Sequence, residues 1–539
     1  MLKDVLKAPM TFHQEVSSDV KVGTRVACDG NCGTVKYIGS VSPFEGIWFG
    51  VEWDNPARGK HDGSYDKVRY FQTRHPTSGS FVRPHKVSLG QPITCAIIER
   101  YGAVEGDMAG VNKDNLESLK HEIKARFIEM VGFDKVNKQQ SHFEDLKIVS
   151  VCKMMVNGAG PPGHLQRMCP NVRELDLSKN LLNTWESVAE IAVQLEFLEN
   201  LTISDNILMV PHNPKALQDH FKSLKYIIAA KMSYDWFQIL QCAIMWQKLE
   251  LLKVPRNSIS KLEAPPPGVF SNLRALDLSG NLIENWEEIN KLGTISSLQQ
   301  LNVSAVGISM IQFPGEKKTD LFPSLSLLNI CDNNIDKWES ISELNKLKSI
   351  EDLRIRNNPV LDLESLETTR QFIIARIANL KMLNGMKVCE ERRGAEYDYL
   401  KKFALEWISL DGLPSAPDKD SQIQQFLCAH PRFPELITKH GLPELSELKK
   451  MPMTLAENVI NIKFVSPQCP EKTYEKALFP TTEVMNLQGF AKRAFRAKKT
   501  PKLSYISCKM PGVEHPMPLF TRNLNFYAVE DGDTIIVRW

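Results

Sequence analysis

Apolar residues recur through the middle of the chain in a fixed frame, L-x-x-L-x-L-x-x-N. The frame fits VRELDLSKN ending at Asn180, LENLTISDN at Asn206, LELLKVPRN at Asn257, LRALDLSGN at Asn281, LSLLNICDN at Asn333 and IEDLRIRNN at Asn358. Two degenerate copies, LKYIIAAKM to Met232 and LQQLNVSAV to Val306, keep the register, and FEDLKIVSV to Val151 extends it backwards. From Asn180 onward the intervals are 26, 26, 25, 24, 25, 27 and 25 residues. Alternation within each copy predicts a short strand with one buried face. The asparagine suits the point where the chain turns out of that strand, because its side chain can bond backbone groups left unsatisfied inside a coil. The intervening segments, such as WESVAEIAVQL and WEEINKLGTI, carry apolar residues at helical spacing. One such repeat cannot bury its own core, so the pattern predicts stacked coils forming an α/β solenoid. A helical bundle would have neither the asparagine nor the fixed period.

The flanks have different textures. From about Val20 to Leu89, short runs such as GTVKYIG, IWFGVEW and SFVRP alternate between closely spaced glycines, predicting a small all-β barrel over residues 20–92. The repeats and a C-terminal cap, FIIARIANLKMLNG, cover 140–385. A helical charged run and then SLDGLPSAPDKDSQ occupy 386–456, and the latter has the composition of a flexible tether. Over 457–539, NVINIKFVS reads as a strand, TEVMNLQGFAKRAFRA as an amphipathic helix and PKLSYIS as a strand. LNFYAVEDGDTIIVRW reads as two strands around a D-G turn, which completes an α+β roll.

Composition narrows the class. With 42% hydrophobic and 24% charged residues over 539 positions, a multidomain globular protein is expected, and a net charge of +2 argues against a nucleic-acid binder. The eleven cysteines include no C-x-x-C, and the N-terminal MLKDVLKAPM has no apolar signal core. No apolar run approaches the length of a spanning helix, so a cytoplasmic chain without a membrane is expected.

Candidate chemistry centres on NPARGKHDGSYD, Asn55 to Asp66. Its Gly-Lys pair suggests a phosphate loop, but the residue five before Gly59 is Asp54 and His61 follows Lys60, so two positions of G-x-x-x-x-G-K-[ST] fail. No nucleophile and base are arranged for catalysis, no cofactor is called for, and His61, His75 and His85 read as turn residues and not as metal ligands. The wider stretch GIWFGVEWDNPARGKHDGSYDKVRYFQTRHPTSGSFVRPHKV resembles the CAP-Gly domain family. The family's G-K-N-D-G appears as Gly59-Lys60-His61-Asp62-Gly63, with histidine in place of asparagine. The resemblance implies a groove for acidic tails ending in an aromatic residue, such as the Glu-Glu-Tyr end of α-tubulin. Lys60, Arg58 and Arg83 would supply positive charge and Trp48, Trp53 and Phe81 an aromatic wall, with backbone donors at the glycines taking the terminal carboxylate.

The repeats resemble the leucine-rich repeat family, and the last segment resembles ubiquitin-like domains. Their combination with a CAP-Gly barrel resembles the tubulin-folding cofactors. It implies a non-enzymatic, cytoskeleton-associated protein that binds α-tubulin by its acidic C-terminal tail and its body. With other tubulin-folding cofactors, such a protein promotes assembly and dissociation of the α/β heterodimer. The outward strand residues Arg173, Glu174, Asp176, Thr202, Lys253, Arg274, Asp277, Asn302 and Arg354 are the expected contacts with the tubulin body. A microtubule plus-end adaptor would carry long heptads and basic Ser/Pro-rich flanks, and neither is found. An adaptor role toward the proteasome or the ubiquitin pathway stays open, although the chain ends in IIVRW without the diglycine of a conjugated modifier.

Overall fold

In a computed structural model the chain is described over residues 20–102, 142–315, 317–411, 419–448, 459–508 and 512–539. It divides into two units at Gly441/Leu442.

The first unit begins with an antiparallel sheet, Arg25–Cys28, Asn31–Val41, Phe44–Trp53 and Gly79–Val82, in that spatial order. Alternate residues of its strands, Val26, Val35, Phe49, Val51, Trp53 and Val82, form one small core. Helix Ile93–Tyr101 leaves this barrel and buries Ile93, Ala96 and Ile97 in the core of the stacked coils. Gln91 pairs with Val156, and Asn157 Nδ2 donates to the Leu89 carbonyl at 2.9 Å. The barrel is therefore joined to the coils directly.

The coils stack through strands Ile148–Ser150, Glu174–Asp176, Asn200–Thr202, Tyr226–Ile228, Leu251–Lys253, Ala275–Asp277, Gln300–Asn302, Leu327–Asn329, Asp352–Arg354 and Met382–Leu383. Each is parallel to the next, and Met386–Lys387 closes the edge antiparallel. The frame asparagines form a ladder along the turns. Asn281, 1% exposed, accepts from the N–H of Asn257 at 2.8 Å and of Ile259 at 3.1 Å. It donates to the carbonyls of Val254 at 3.0 Å and Leu278 at 2.7 Å. Asn180, Asn257, Asn333 and Asn358 repeat this bonding of neighbouring coils. At the degenerate positions Met232 and Val306 are buried instead, and the asparagine one coil on accepts from their N–H groups.

Helices on the outer side are shorter than the periodicity suggested. Trp185–Ala192, Trp236–Ala243, Trp286–Asn290 and Trp338–Glu343 occupy alternate coils, each opening on a tryptophan. Between them the chain is 3₁₀ or extended. Around Pro265, Pro266 and Pro267 the missing N–H groups forbid a helix.

The expected tether is corrected by the two helices beyond it. Residues 412–418 of SLDGLPSAPDKDSQ lie outside the described residues, but helices Lys419–Ala429 and Phe433–His440 pack back onto Leu366–Arg376 and Arg392–Asp411. Phe372, Tyr399, Leu400, Phe426, Phe433 and Leu436 share one core there. Both helices thus belong to the first unit. Glu396, fully buried, meets Arg392 at 3.3 Å, Arg432 at 3.5 Å, Lys439 at 2.6 Å and His440 at 2.7 Å. Burial works against its charge, but hydrogen bonds from Lys439 and His440 and the charge of Arg432 outweigh it and hold the carboxyl down at about 2.

The second unit is a five-stranded mixed sheet ordered Thr473–Leu478, Ile460–Val465, Thr534–Arg538, Lys502–Ile506, Glu514–Pro516, with helix Val484–Ala494 on its apolar side. Its central pair, Ile460–Val465 and Thr534–Arg538, is parallel. The segment LNFYAV, expected as a strand, is a 3₁₀ turn at Asn525–Tyr527. Leu524 and Val529 anchor it in the core while Ala528 takes a left-handed φ of 53°, which ends any extended run.

Candidate peptide-binding groove

Strand Phe44–Trp53 sets which aromatics reach the barrel surface, because successive side chains point to opposite faces. Phe49, Val51 and Trp53 point into the core. Trp53 is 1% exposed, so it does not wall the groove as expected; the Arg58 guanidinium lies over its ring, 4.9 Å from the centroid. Trp48 faces outward into a groove of about 420 Å³. There it stands beside Phe44, with ring centroids 5.8 Å apart, while Tyr65 packs on Phe44 at 5.6 Å. Phe81, from strand Gly79–Val82, forms the opposite wall and is held edge-on by Phe71 at 5.5 Å and Tyr70 at 5.3 Å.

Positive charge dominates the lining. Arg58, Lys60, Arg83 and Lys86 line it against one acid, Asp29, which pairs with Arg58 at 3.1 Å. Lys60 is exposed and has no ion-pair partner among the described residues. Two further donors in the lining lack hydrogen-bond partners there, the Trp48 indole Nε1 and the Ser80 hydroxyl.

Three of the loop N–H groups are already engaged within the domain. The N–H groups of Lys60 and His61 donate to the Gly79 carbonyl at 2.7 and 3.2 Å, and that of Gly63 donates to His61 Nδ1 at 3.0 Å. These three donors are not offered to the groove. Gly59 and Gly63 are required by close packing. A Cβ on Gly59 would sit 2.1 Å from the Thr77 carbonyl oxygen, and one on Gly63, at φ +94°, 2.1 Å from that of Phe71. Asp62 turns away from the groove, capping the Ser64 N–H at 3.1 Å and pairing with Arg69 at 2.7 Å.

Among proteins of known kind, the CAP-Gly domain family matches residues 22–87. The tubulin-specific chaperone E of Bos taurus is 40% identical over 531 residues, covering 97% of this chain and 99% of that protein. Its Homo sapiens counterpart is 38% identical over 532 residues, with 97% and 99% coverage. The chain belongs to the tubulin-specific chaperone E family. A solution structure of the C-terminal ubiquitin-like domain of mouse tubulin-specific chaperone E is 30% identical, covers 17% of this chain and 94% of its own, and gives a TM-score of 0.15.

In this member of the chaperone E family the histidine at position 61 does the work of a turn-forming amide. Its Nδ1 accepts from Gly63 two residues on, as an asparagine oxygen would, which fixes the neutral tautomer with Nε2 as donor. Burial and the neighbouring Lys60 lower its pKa below 6.5, and Asp62 only partly counters them. The ring also stacks on Phe81, 4.9 Å between centroids and tilted 30°. His75 and His85 are exposed elsewhere on the domain, and among the described residues no group of three His, Cys, Asp or Glu could hold a metal. Among the described residues no helix is long and apolar enough to cross a membrane.

Phe44, Tyr65, Ser80 and Lys86 complete the groove although the motif does not contain them. Phe44 and Tyr65 carried a signal, being large apolar residues at a hairpin tip and in a polar turn. On the coils, Glu174, Asp176, Thr202 and Lys253 lie together on the strand face with Tyr226, Ile228 and Leu251, around a hollow of about 270 Å³. Asp277 and Asn302 bond each other at 3.0 Å, and Arg354 lies 4.0 Å from Asp352. Arg173 and Arg274 precede their strands and lie on the rim; Arg173 pairs with Glu199 at 3.6 Å.

Proposed function

We propose that this chain is a non-enzymatic tubulin-folding cofactor that captures the acidic C-terminal tail of α-tubulin in the groove around Lys60. One observation carries the reading. A lysine and two donors without partners among the described residues, and an arginine stacked on Trp48, converge between aromatic walls, in a chain whose full-length relatives are named tubulin-specific chaperones. A terminal carboxylate with a preceding glutamate would meet those donors, and an aromatic last side chain would lie between Trp48 and Phe81. The stacked coils we read as a leucine-rich-repeat solenoid whose strand face grips the tubulin body, since a short tail buries less than the roughly 1,200–2,000 Å² of a stable interface. The C-terminal roll, read as ubiquitin-like, joins the partner cofactors with which the α/β heterodimer is assembled and taken apart. The setting is the cytoplasm, beside the cytoskeleton.

The test is a pull-down of α-tubulin with and without its acidic tail. Loss of the tail should weaken capture severalfold but not abolish it. Equal capture of both forms overturns the groove's role, and complete loss overturns that of the strand face.

A further inference from the structure

The end of helix Val484–Ala494 and the chain after it carry an unbalanced charge. No aspartate or glutamate occurs from Val484 to Val513, whereas six of the eleven residues from Lys492 to Lys502 are basic: Lys492, Arg493, Arg496, Lys498, Lys499 and Lys502. All six are exposed, and none has an acidic partner among the described residues. Cations at a helix C-terminus complement its dipole, which accounts for Lys492 and Arg493. Lys498, Lys499 and Lys502 lie beyond the helix, where that reason ends. Arg496 occupies the left-handed closing position of the helix, φ 54°, with the Ala497 N–H reaching back to the Lys492 carbonyl at 3.0 Å. Glycine is favoured there, so the arginine keeps its charge against backbone strain.

The platform under these charges is fixed. Tyr474 donates to the Ala494 carbonyl at 2.8 Å, Gln488 donates to the Pro501 carbonyl at 3.1 Å, and Phe495 is buried. We propose that this face binds an extended acidic peptide, recognising a run of side-chain carboxylates with no need for a free carboxy terminus. It is therefore distinct from the groove around Lys60. A single-stranded nucleic acid is disfavoured because binding it calls for exposed aromatic platforms, and Phe495 is turned inward. A lipid surface is disfavoured because the exposed apolar residues Met485, Leu519 and Phe520 lie at the other end of the helix. There the Met485 N–H bonds the Phe520 carbonyl near Leu519.

The probe is a fluorescent oligoglutamate with an amidated C-terminus, titrated into the full chain by anisotropy at rising salt. Saturable binding that weakens with salt is expected. Lys492→Glu, Arg496→Glu and Lys499→Glu combined should lower affinity roughly tenfold. The corresponding glutamine triple should lower it less. Reversing Lys215, Lys222 and Lys248 instead should leave it nearly intact. Circular dichroism establishes the fold of each variant, and the glutamine triple decides should the reversal not fold. Unchanged affinity in the folded patch variant, or an equal loss in both reversals, overturns the proposal. So does tighter binding of an oligothymidylate or a phosphatidylserine vesicle through the same residues.

Discussion

Arg83 lies across the face of Trp48, its guanidinium carbon 3.8 Å from the ring centroid, and Nη1 is tied to the Glu45 carbonyl at 2.7 Å. The stack holds a cation at the groove's mouth with little side-chain freedom left to lose on binding. Lys60, with no ion-pair partner among the described residues, supplies the second charge. Lys60→Glu or Arg83→Ala should therefore weaken a peptide ending in Glu-Glu-Tyr by roughly 1.5–3 kcal/mol, the worth of a hydrogen bond to a charged group. Isothermal titration at two salt concentrations checks this, and the affinity of the unaltered chain should itself fall with salt.

His61→Asn should preserve the loop, because an amide oxygen can accept from Gly63 as Nδ1 does. His61→Ala removes that acceptor and the ring stacked on Phe81. It should lower the domain's melting temperature and the peptide affinity together, whereas the asparagine variant should change neither by much. Equal behaviour of the two variants would show that the acceptor is unimportant.

The asparagine ladder predicts a large local cost. Asn281→Ala leaves two N–H groups and two carbonyls inside the stack without their partner, and should destabilise the first unit by about 3 kcal/mol. Asn281→Asp keeps the acceptor but sets an oxygen against the Val254 and Leu278 carbonyls, so it should fare no better. Denaturant unfolding of both variants reads this out.

The ladder was legible in the sequence because a coil of fixed length repeats its own constraint. The roles of Trp48 and Trp53 were legible in part, since alternation along Phe44–Trp53 puts Trp53 on the face of Phe49 and Val51. A motif-level view merged the two tryptophans. The helices after residue 418 were hidden by the Pro, Gly, Ser and Asp cluster before them. Phe433, Leu436 and Ile437 do stand at helical spacing, but helix Phe433–His440 is only eight residues long, too short for the period to stand out. The use of the Lys60 and His61 N–H groups depends on Gly79, a strand away, and no local pattern reports that.

Acid should loosen the helical cap. His430 is buried among Phe403, Phe426 and Phe433, with Nδ1 2.6 Å from the Tyr399 hydroxyl and Arg376 nearby. Burial, aided by the Arg376 charge, pushes its pKa from 6.5 down to about 4. The folded state thus favours the neutral ring, so stability is full above pH 6.5 and is lost as pH falls toward 4. That shift corresponds to roughly 3 kcal/mol. The carboxyl of Glu396 is held down as well, so its contribution is lost in the same direction, as pH falls from 4.5 toward 2. His430→Phe should remove the upper part of this dependence, which melting curves at successive pH values would reveal.

The boundary of the first unit gives the last prediction. A chain ending at Gly441 keeps helices Lys419–Ala429 and Phe433–His440, whereas one ending at Asp411 stops at the composition that suggested a tether. The shorter chain would uncover Phe372, Tyr399 and Leu400, losing the burial of Phe426, Phe433 and Leu436 at roughly 1.5–3 kcal/mol each. It would also strip Glu396 of Arg432, Lys439 and His440, and strip Arg376 of its bond to the Ala429 carbonyl at 2.6 Å. A buried carboxylate left with Arg392 alone is unfavourable. The longer truncation should therefore melt cooperatively near the full chain's temperature and still bind the Glu-Glu-Tyr peptide. The shorter one should melt well below it and be cut by protease within Arg392–Asp411. Equal melting temperatures would mean that these helices only rest on the cap, and the region after Asp411 would then be a tether after all.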